Sequence, residues 1–145
     1  MSKKGTLAAV TGLVIVAVVV TLFVVRGSHK NAAANAPSNP TAAMCGALAN
    51  IATYAATHPV TKTYPNLEAS LAYSHQQLAS VTNPPTAIAS SLRTAVSSSG
   101  SMVAYIQRIL AKAKITVGQQ TAAVNEIPVW RKSNTGLSAW KKTHC

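Results

Sequence analysis

The most regular feature of the chain is an unbroken apolar block. From Thr6 to Val25 it reads TLAAVTGLVIVAVVVTLFVV, without a charge, Pro, Asn or Gln. About 20 helical residues at a rise of about 1.5 Å each match a hydrocarbon core of about 30 Å, so the block predicts a transmembrane helix. Lys3 and Lys4 precede it and Arg26 and Lys30 follow it. Cations thus stand at both head-group levels, with a slight excess on the N-terminal side once the terminal amine is counted. That asymmetry points to a cytoplasmic N-terminus and an extracytoplasmic remainder. From Gly27 to Asn39 the chain reads GSHKNAAANAPSN, small and polar with no apolar period, which is the composition of a flexible tether.

Beyond the tether the apolar positions recur at helical spacing. Asn39-Pro40 is an N-cap followed by Pro at the first helical position. Met44, Leu48, Ile51 and Ala55 then mark one face up to Thr57, where His58-Pro59 ends the run. A second helix is expected from Tyr64-Pro65-Asn66, with Leu67, Leu71, Leu78 and Val81 on one face and Ser74 filling the step between, closed by Asn83-Pro84-Pro85. The longest rhythm, Ile88, Leu92, Val96, Ser99, Val103, Ile106 and Leu110, predicts a third helix from Thr86 to Ala113, with Gly100 as a bend point. Ser97-Ser98-Ser99-Gly100-Ser101 lies inside this rhythm and reads as a small-residue face that permits close helix approach. After Lys114 a short helix is expected over Val117–Asn125, a break at Pro128, and a last helix over Asn134–Thr143. No stretch alternates with period two for long enough to compete as a strand. The fold class is therefore all-α: one N-terminal transmembrane helix, then a small antiparallel bundle of three to four helices. Its divisions are a basic N-terminus (1–5), an anchor (6–25), a tether (26–39) and a helical domain (40–145).

A cleaved signal peptide competes for the apolar block, but such segments carry apolar cores of only about 7 to 15 residues. The small-residue run Ala32-Ala33-Ala34 lies far from the block, and Ala34-Asn35-Ala36 is followed by Pro37. An uncleaved anchor fits better. Cys45 is too distant from the block to be a lipoprotein cysteine. Lys3-Lys4-Gly5 ahead of an apolar helix resembles the leader of a type IV prepilin, which implies cleavage after Gly5. The resemblance covers only this start: the family's glutamate would fall on Val10, and Asn and Pro after Arg26 interrupt the long helix that pilins need.

The two cysteines, Cys45 and Cys145, bracket the whole domain. A disulfide between them closes a loop of about 100 residues, worth roughly 4 to 5 kcal/mol on the chain-entropy account, and ties down a terminus that otherwise frays. Two unrelated thiols are the alternative. The bracketing pair suits an oxidising exterior better than the cytosol, in agreement with the charge asymmetry around the anchor.

Charge narrows the chemistry. Of the 145 residues only Glu68 and Glu126 are acidic, against 13 Lys and Arg, and Asp is absent. Calcium cages, ordinary magnesium sites and paired-carboxylate catalysis lack their ligands. In the domain nine cations against two glutamates leave a net charge of +7, and eight of the nine cations follow Leu92. Such a surface attracts anionic polymers or lipid head groups. Arg108, Lys112 and Lys114 cluster at the end of the third helix, where cations also complement the helix dipole. Further on, Val129-Trp130-Arg131-Lys132-Ser133 and Ala139-Trp140-Lys141-Lys142-Thr143 form a near repeat of an indole and two cations. At an anionic surface the indoles would lie at a membrane interface or stack on a base while the cations meet phosphate. In a bundle they would instead anchor the C-terminal segment in the core, with the cations solvated, and this structural reading is favoured. Ten positions set the indoles about 80° apart on a continuous helix, but Pro128 and Gly136 argue against continuity.

Other chemistry finds little support. His58, His75 and His144 lack metal-ligand spacing; His75 follows Glu68 by two turns, too far to chelate without a further ligand. A Ser-His-Asp triad is impossible without Asp, there is no phosphate-binding Gly loop, and Asn39-Pro40-Thr41 is no glycosylation acceptor. No cofactor, metal site or enzyme activity is expected. The layout resembles small anchored proteins of bacterial envelopes, which transfers no activity. The leading expectation is a membrane-anchored extracytoplasmic helical module that binds or scaffolds a protein partner in the envelope, with Thr6 to Val25 in the bilayer. The alternative is a basic domain that binds a polyanion: anionic lipid, anionic envelope polymer or nucleic acid. Nucleic acid is a partner only if the domain is cytoplasmic or handles external DNA. The alternative would use Arg108, Lys112, Lys114, Arg131, Lys132, Lys141 and Lys142 with Trp130 and Trp140.

Overall fold

The computed structural model describes residues 39–59 and 63–145. The described residues form four helices and no strand: α1 (Pro40–Thr57), α2 (Tyr64–Ala79), α3 (Ala89–Leu110) and α4 (Val117–His144), with a 3-10 turn over Thr86–Ile88 leading into α3. The expected anchor, Thr6 to Val25, and the tether up to residue 38 lie outside the described residues. Among the described residues no helix is long and apolar enough to cross a membrane.

Local chemistry explains the helix boundaries. Asn39 caps α1, its side chain accepting from the Thr41 amide at 2.9 Å, and Pro40 occupies a first-turn position whose amide would lack a partner anyway. α4 starts with a full capping box: the Gln119 amide donates to Thr116 Oγ1 at 3.2 Å, and the Thr116 amide donates to Gln119 Oε1 at 3.0 Å. α3 ends in a Schellman turn, in which the Ala113 amide donates to the Arg108 carbonyl and the Lys112 amide to the Ile109 carbonyl, both at 3.0 Å. The turn needs a left-handed residue, and Lys112 supplies it at φ 54 where glycine is usual.

Neighbouring helices run antiparallel. Asn50 and Tyr54 of α1 meet Gln77 and Tyr73 of α2, through an amide hydrogen bond at 2.9 Å and ring centroids 4.1 Å apart. Glu68 and His75 of α2 meet Gln107 and Val96 of α3. Close to the start of α3, Ser91 lies against Gly136 of α4, and Lys141 Nζ of α4 reaches the Leu48 carbonyl of α1 at 3.4 Å. The result is an up-down-up-down bundle with α1 and α4 closed on each other by a Cys45–Cys145 disulfide, Cα atoms 5.6 Å apart. Both cysteines of the chain are used.

The core is divided. One cluster gathers Met44, Leu48 and Ile51 of α1, Leu78 and Val81, Ile88 and Leu92, and Leu137 and Trp140 of α4. The other joins Leu67 and Leu71 of α2, Met102 and Ile106 of α3, and Trp130 of α4, with no buried residue of α1. Between them, at the matching turn of α2, α3 and α4, stand the buried polar residues Ser74, Ser98, Ser99, Ser133 and Asn134. The first cluster is thus a four-helix core near the chain ends, the second a three-helix core toward the α3–α4 connection.

Three expectations need correction. The C-terminal segment is one continuous helix, not two with a break at Pro128. Pro128 removes one backbone donor and crowds the preceding turn, a cost of about 3 kcal/mol in a helix interior. Its position is exposed, so water can serve the carbonyl left over, while Ala123 and Trp130 are buried on either side of it and hold the helix to the bundle. The α3 stripe is also rotated from the expected one: Ala95, Ser98, Ser99 and Met102 are buried, Val96 and Val103 flank the core, and Leu110 is 40% exposed. Gly100 makes no bend: it lies within α3, where an added Cβ would stand 3.1 Å from His75 Cε1, so its lack of a side chain admits the histidine ring.

The disulfide closes a loop with a sequence separation of 100. Cys145→Ser is expected to lower unfolding stability by about 2–5 kcal/mol, read from urea unfolding of the full chain in detergent against the oxidised parent.

Candidate interaction surface

The basic residues predicted to act together are placed at three levels of the bundle. Arg108 lies in the last turn of α3, and Lys112 and Lys114 lie in the connection to α4; all three are exposed. Arg131 and Lys132 are exposed at the middle of α4. Lys141 and Lys142 occupy its last turn, beside the disulfide; Lys142 is exposed, while Lys141 is half-buried with its ammonium on the Leu48 carbonyl. From Val117 to Lys142 the helix climbs about 38 Å, several times the screening length at physiological salt. The cations therefore form no single patch, although Arg131 and Lys142, eleven positions apart, share one side of α4.

The indoles are not part of that surface. Trp130 is 2% exposed in the three-helix core and Trp140 is 7% exposed in the four-helix core. Continuity of α4 through Pro128 is what sends the two rings into different cores on one side of the helix. Each unit of the indole-cation repeat thus places its indole in a core, with Arg131, Lys132 and Lys142 exposed and Lys141 half-buried. His144 stacks on the Trp140 ring with centroids 4.8 Å apart and shields its outer edge.

Glu68 and His75 do not share a site. The Glu68 carboxylate accepts from Gln107 Nε2 at 2.9 Å. His75 Nδ1 lies 3.1 Å from both the Val96 carbonyl and Ser99 Oγ. These two contacts hold the ring across the α2–α3 seam. Among the described residues no three His, Cys, Asp or Glu side chains are grouped to hold a metal. Of the tyrosines, Tyr105 has its phenol pushed above the usual value, by burial first and then by neighbouring Tyr64.

Thr116-x-x-Gln119 is a capping-box signature, and α4 starts at Val117, as expected. Ser138 and Lys141 stand at the serine-lysine spacing of some acyl-transfer enzymes. Here the Lys141 ammonium is directed to the Leu48 carbonyl of α1 at 3.4 Å. The polar layer has its own logic. Ser74, Ser99 and Ser133 donate back to carbonyls of their own helices, at 2.9, 3.0 and 3.0 Å, and Ser99 also meets His75 across the α2–α3 seam. Asn134 differs: it is 1% exposed and neither amide atom finds a hydrogen-bond partner among the described residues.

Comparison with protein-family models, with curated proteins and with solved structures finds no match to this chain.

A buried amide without partners costs about 1–3 kcal/mol. Asn134→Leu, of similar volume, is expected to raise unfolding stability by that amount in denaturant titration; a loss of stability would show that the amide is engaged.

Proposed function

We propose that the chain is a membrane-anchored binding or scaffolding module, held through Thr6 to Val25 with its helical bundle on the extracytoplasmic side of a bacterial envelope. The observation that carries this reading is the Cys45–Cys145 bridge. It spans the whole bundle, and a bond of that kind persists where thiols are oxidised. It also gathers both ends of the domain at one end of the bundle, next to the point where the tether enters at Asn39. A bundle attached there presents its opposite end and its sides to partners.

The second reading, a basic polyanion-binding domain, is favoured by the exposure of Arg108, Lys112, Lys114, Arg131, Lys132 and Lys142 in a chain with only two acids. It requires affinity to fall steeply with salt and to weaken on charge reversal at Arg131 and Lys132. The buried indoles leave it without aromatic stacking, so electrostatics would carry the binding.

Cysteine labelling in intact cells tests the leading reading. Cys145 is expected to resist a membrane-impermeant maleimide until reductant is added, and then to react from outside. A thiol that is free without reductant and protected from the impermeant reagent would place the domain in the cytosol and sink the proposal.

A further inference from the structure

The α3–α4 connection forms the end of the bundle farthest from the disulfide and from Asn39, and its composition is unlike the rest of the surface. Residues 110–117 read Leu-Ala-Lys-Ala-Lys-Ile-Thr-Val, preceded by Arg108. Val117 is 80% exposed and Leu110 is 40% exposed, two of the three large exposed hydrophobic residues among those described. Lys112, Lys114 and Arg108 interleave with them, all exposed. No acid occurs between Glu68 and Glu126. Glu68 lies toward this end with its carboxylate taken by Gln107, and Glu126 stands two and a half turns along α4 from Val117.

Stability alone does not explain the tip. Lys112 occupies a left-handed position that favours glycine, at φ 54, and is exposed there between Arg108 and Lys114 in the chain. Val117 opens α4 with its side chain in water, although the capping box just before it would be served by any residue there. Apolar side chains interleaved with cations suit a surface that is charged outside and apolar beneath. A soluble anionic polymer would use the cations but leave Val117 and Leu110 in water; a lipid interface takes both.

We propose that the 108–117 tip docks on an anionic phospholipid surface, with Arg108, Lys112 and Lys114 at the head groups and Leu110 and Val117 entering the interface. This deepens the proposed binding module and rests on that reading for the place where tip and membrane meet. With the tether at one end of the bundle and the tip at the other, about 40 Å apart along α4, the domain is suited to bridging two membrane surfaces.

The test uses the full chain reconstituted in neutral phosphatidylcholine nanodiscs and floated with vesicles of phosphatidylcholine, with or without phosphatidylglycerol. Capture is expected only with phosphatidylglycerol and should fall as salt rises. Each cation near such a surface contributes about a fivefold factor, so Lys112→Gly is expected to weaken capture about fivefold and the Lys112→Gly/Lys114→Ser pair about 25-fold. Lys112→Gly relieves the left-handed backbone, so its thermal midpoint should equal or exceed the parent's, which separates lost binding from lost folding. Val117→Ser should weaken capture about three- to tenfold, whereas Arg93→Ser, an exposed cation near the other end of α3, should change it less than about twofold. Entry into the discs is scored separately and reports on the anchor. Protein that stays outside them is floated with the same vesicles, so the tip is tested whichever way the anchor falls. Capture that is indifferent to phosphatidylglycerol or to the tip variants overturns the inference. So does tip-dependent binding of soluble polyphosphate with no effect of Val117→Ser and no vesicle capture.

Discussion

The covalent link between Cys45 and Cys145 is the constraint on which the arrangement of this domain depends. It joins the second turn of α1 to the end of α4, and so turns a linear run of four helices into a closed ring. α1 reaches only the core near the chain ends: Met44, Leu48 and Ile51 pack there, and its last aromatic contact is Tyr54 on Tyr73. The other core is made by α2, α3 and α4 alone. Without the link, α1 would be kept in place by one face of α2, a few aliphatic contacts and the Lys141 hydrogen bond. The link sits at the same end as Asn39, so both ends of the described region are gathered at one end of the bundle.

The layer of Ser74, Ser98, Ser99, Ser133 and Asn134 gives the divided core its second rule. Small serines that bond to their own helices let the backbones approach, and Gly100 and Gly136 extend that approach to His75 and Ser91. Hydrophobic side chains could slide by a turn along an apolar seam, whereas a layer of small polar residues matches only its own level. The Asn134 amide, buried without a partner among the described residues, is the cost of this arrangement. A domain with few aromatic residues and small cores is sensitive to such a cost, and a long-loop disulfide offsets part of it.

Much of this was legible in the residues. Asn39-Pro40 announces α1, the Leu67/Leu71/Leu78 spacing announces α2 with Ser74 as its small step, and two cysteines at the ends of a basic domain announce their own pairing. The serine run in α3 was readable as a helix face because the apolar rhythm passes through it. The errors share one cause, which is that local rules were outweighed by packing. Pro128 is a helix breaker by propensity, but Ala123 and Trp130 bury on either side of it and the capping box at Thr116 starts the helix well before it. The three-four spacing in α3 points to Val96 and Val103, yet the neighbouring Ala95 and Met102 are the buried residues, with Val96 and Val103 at the edge of the cores. The basic surface was less legible, because charge count carries no information about height along a bundle: the cations fall at three levels, and the tryptophans between them point inward. The expected anchor, residues 6–25, lies outside the described residues.

The divided core predicts that the bundle opens as two cooperative units separated at the polar layer, with the disulfide holding α1 in the first. Native-state hydrogen exchange of the full chain, oxidised and reduced, tests this most directly. Reduction should strip protection from α1 amides around Leu48 and Ile51 while the amides near Ile106 and Trp130 keep theirs. Protection lost evenly through all four helices, or retained in α1 after reduction, would contradict the account.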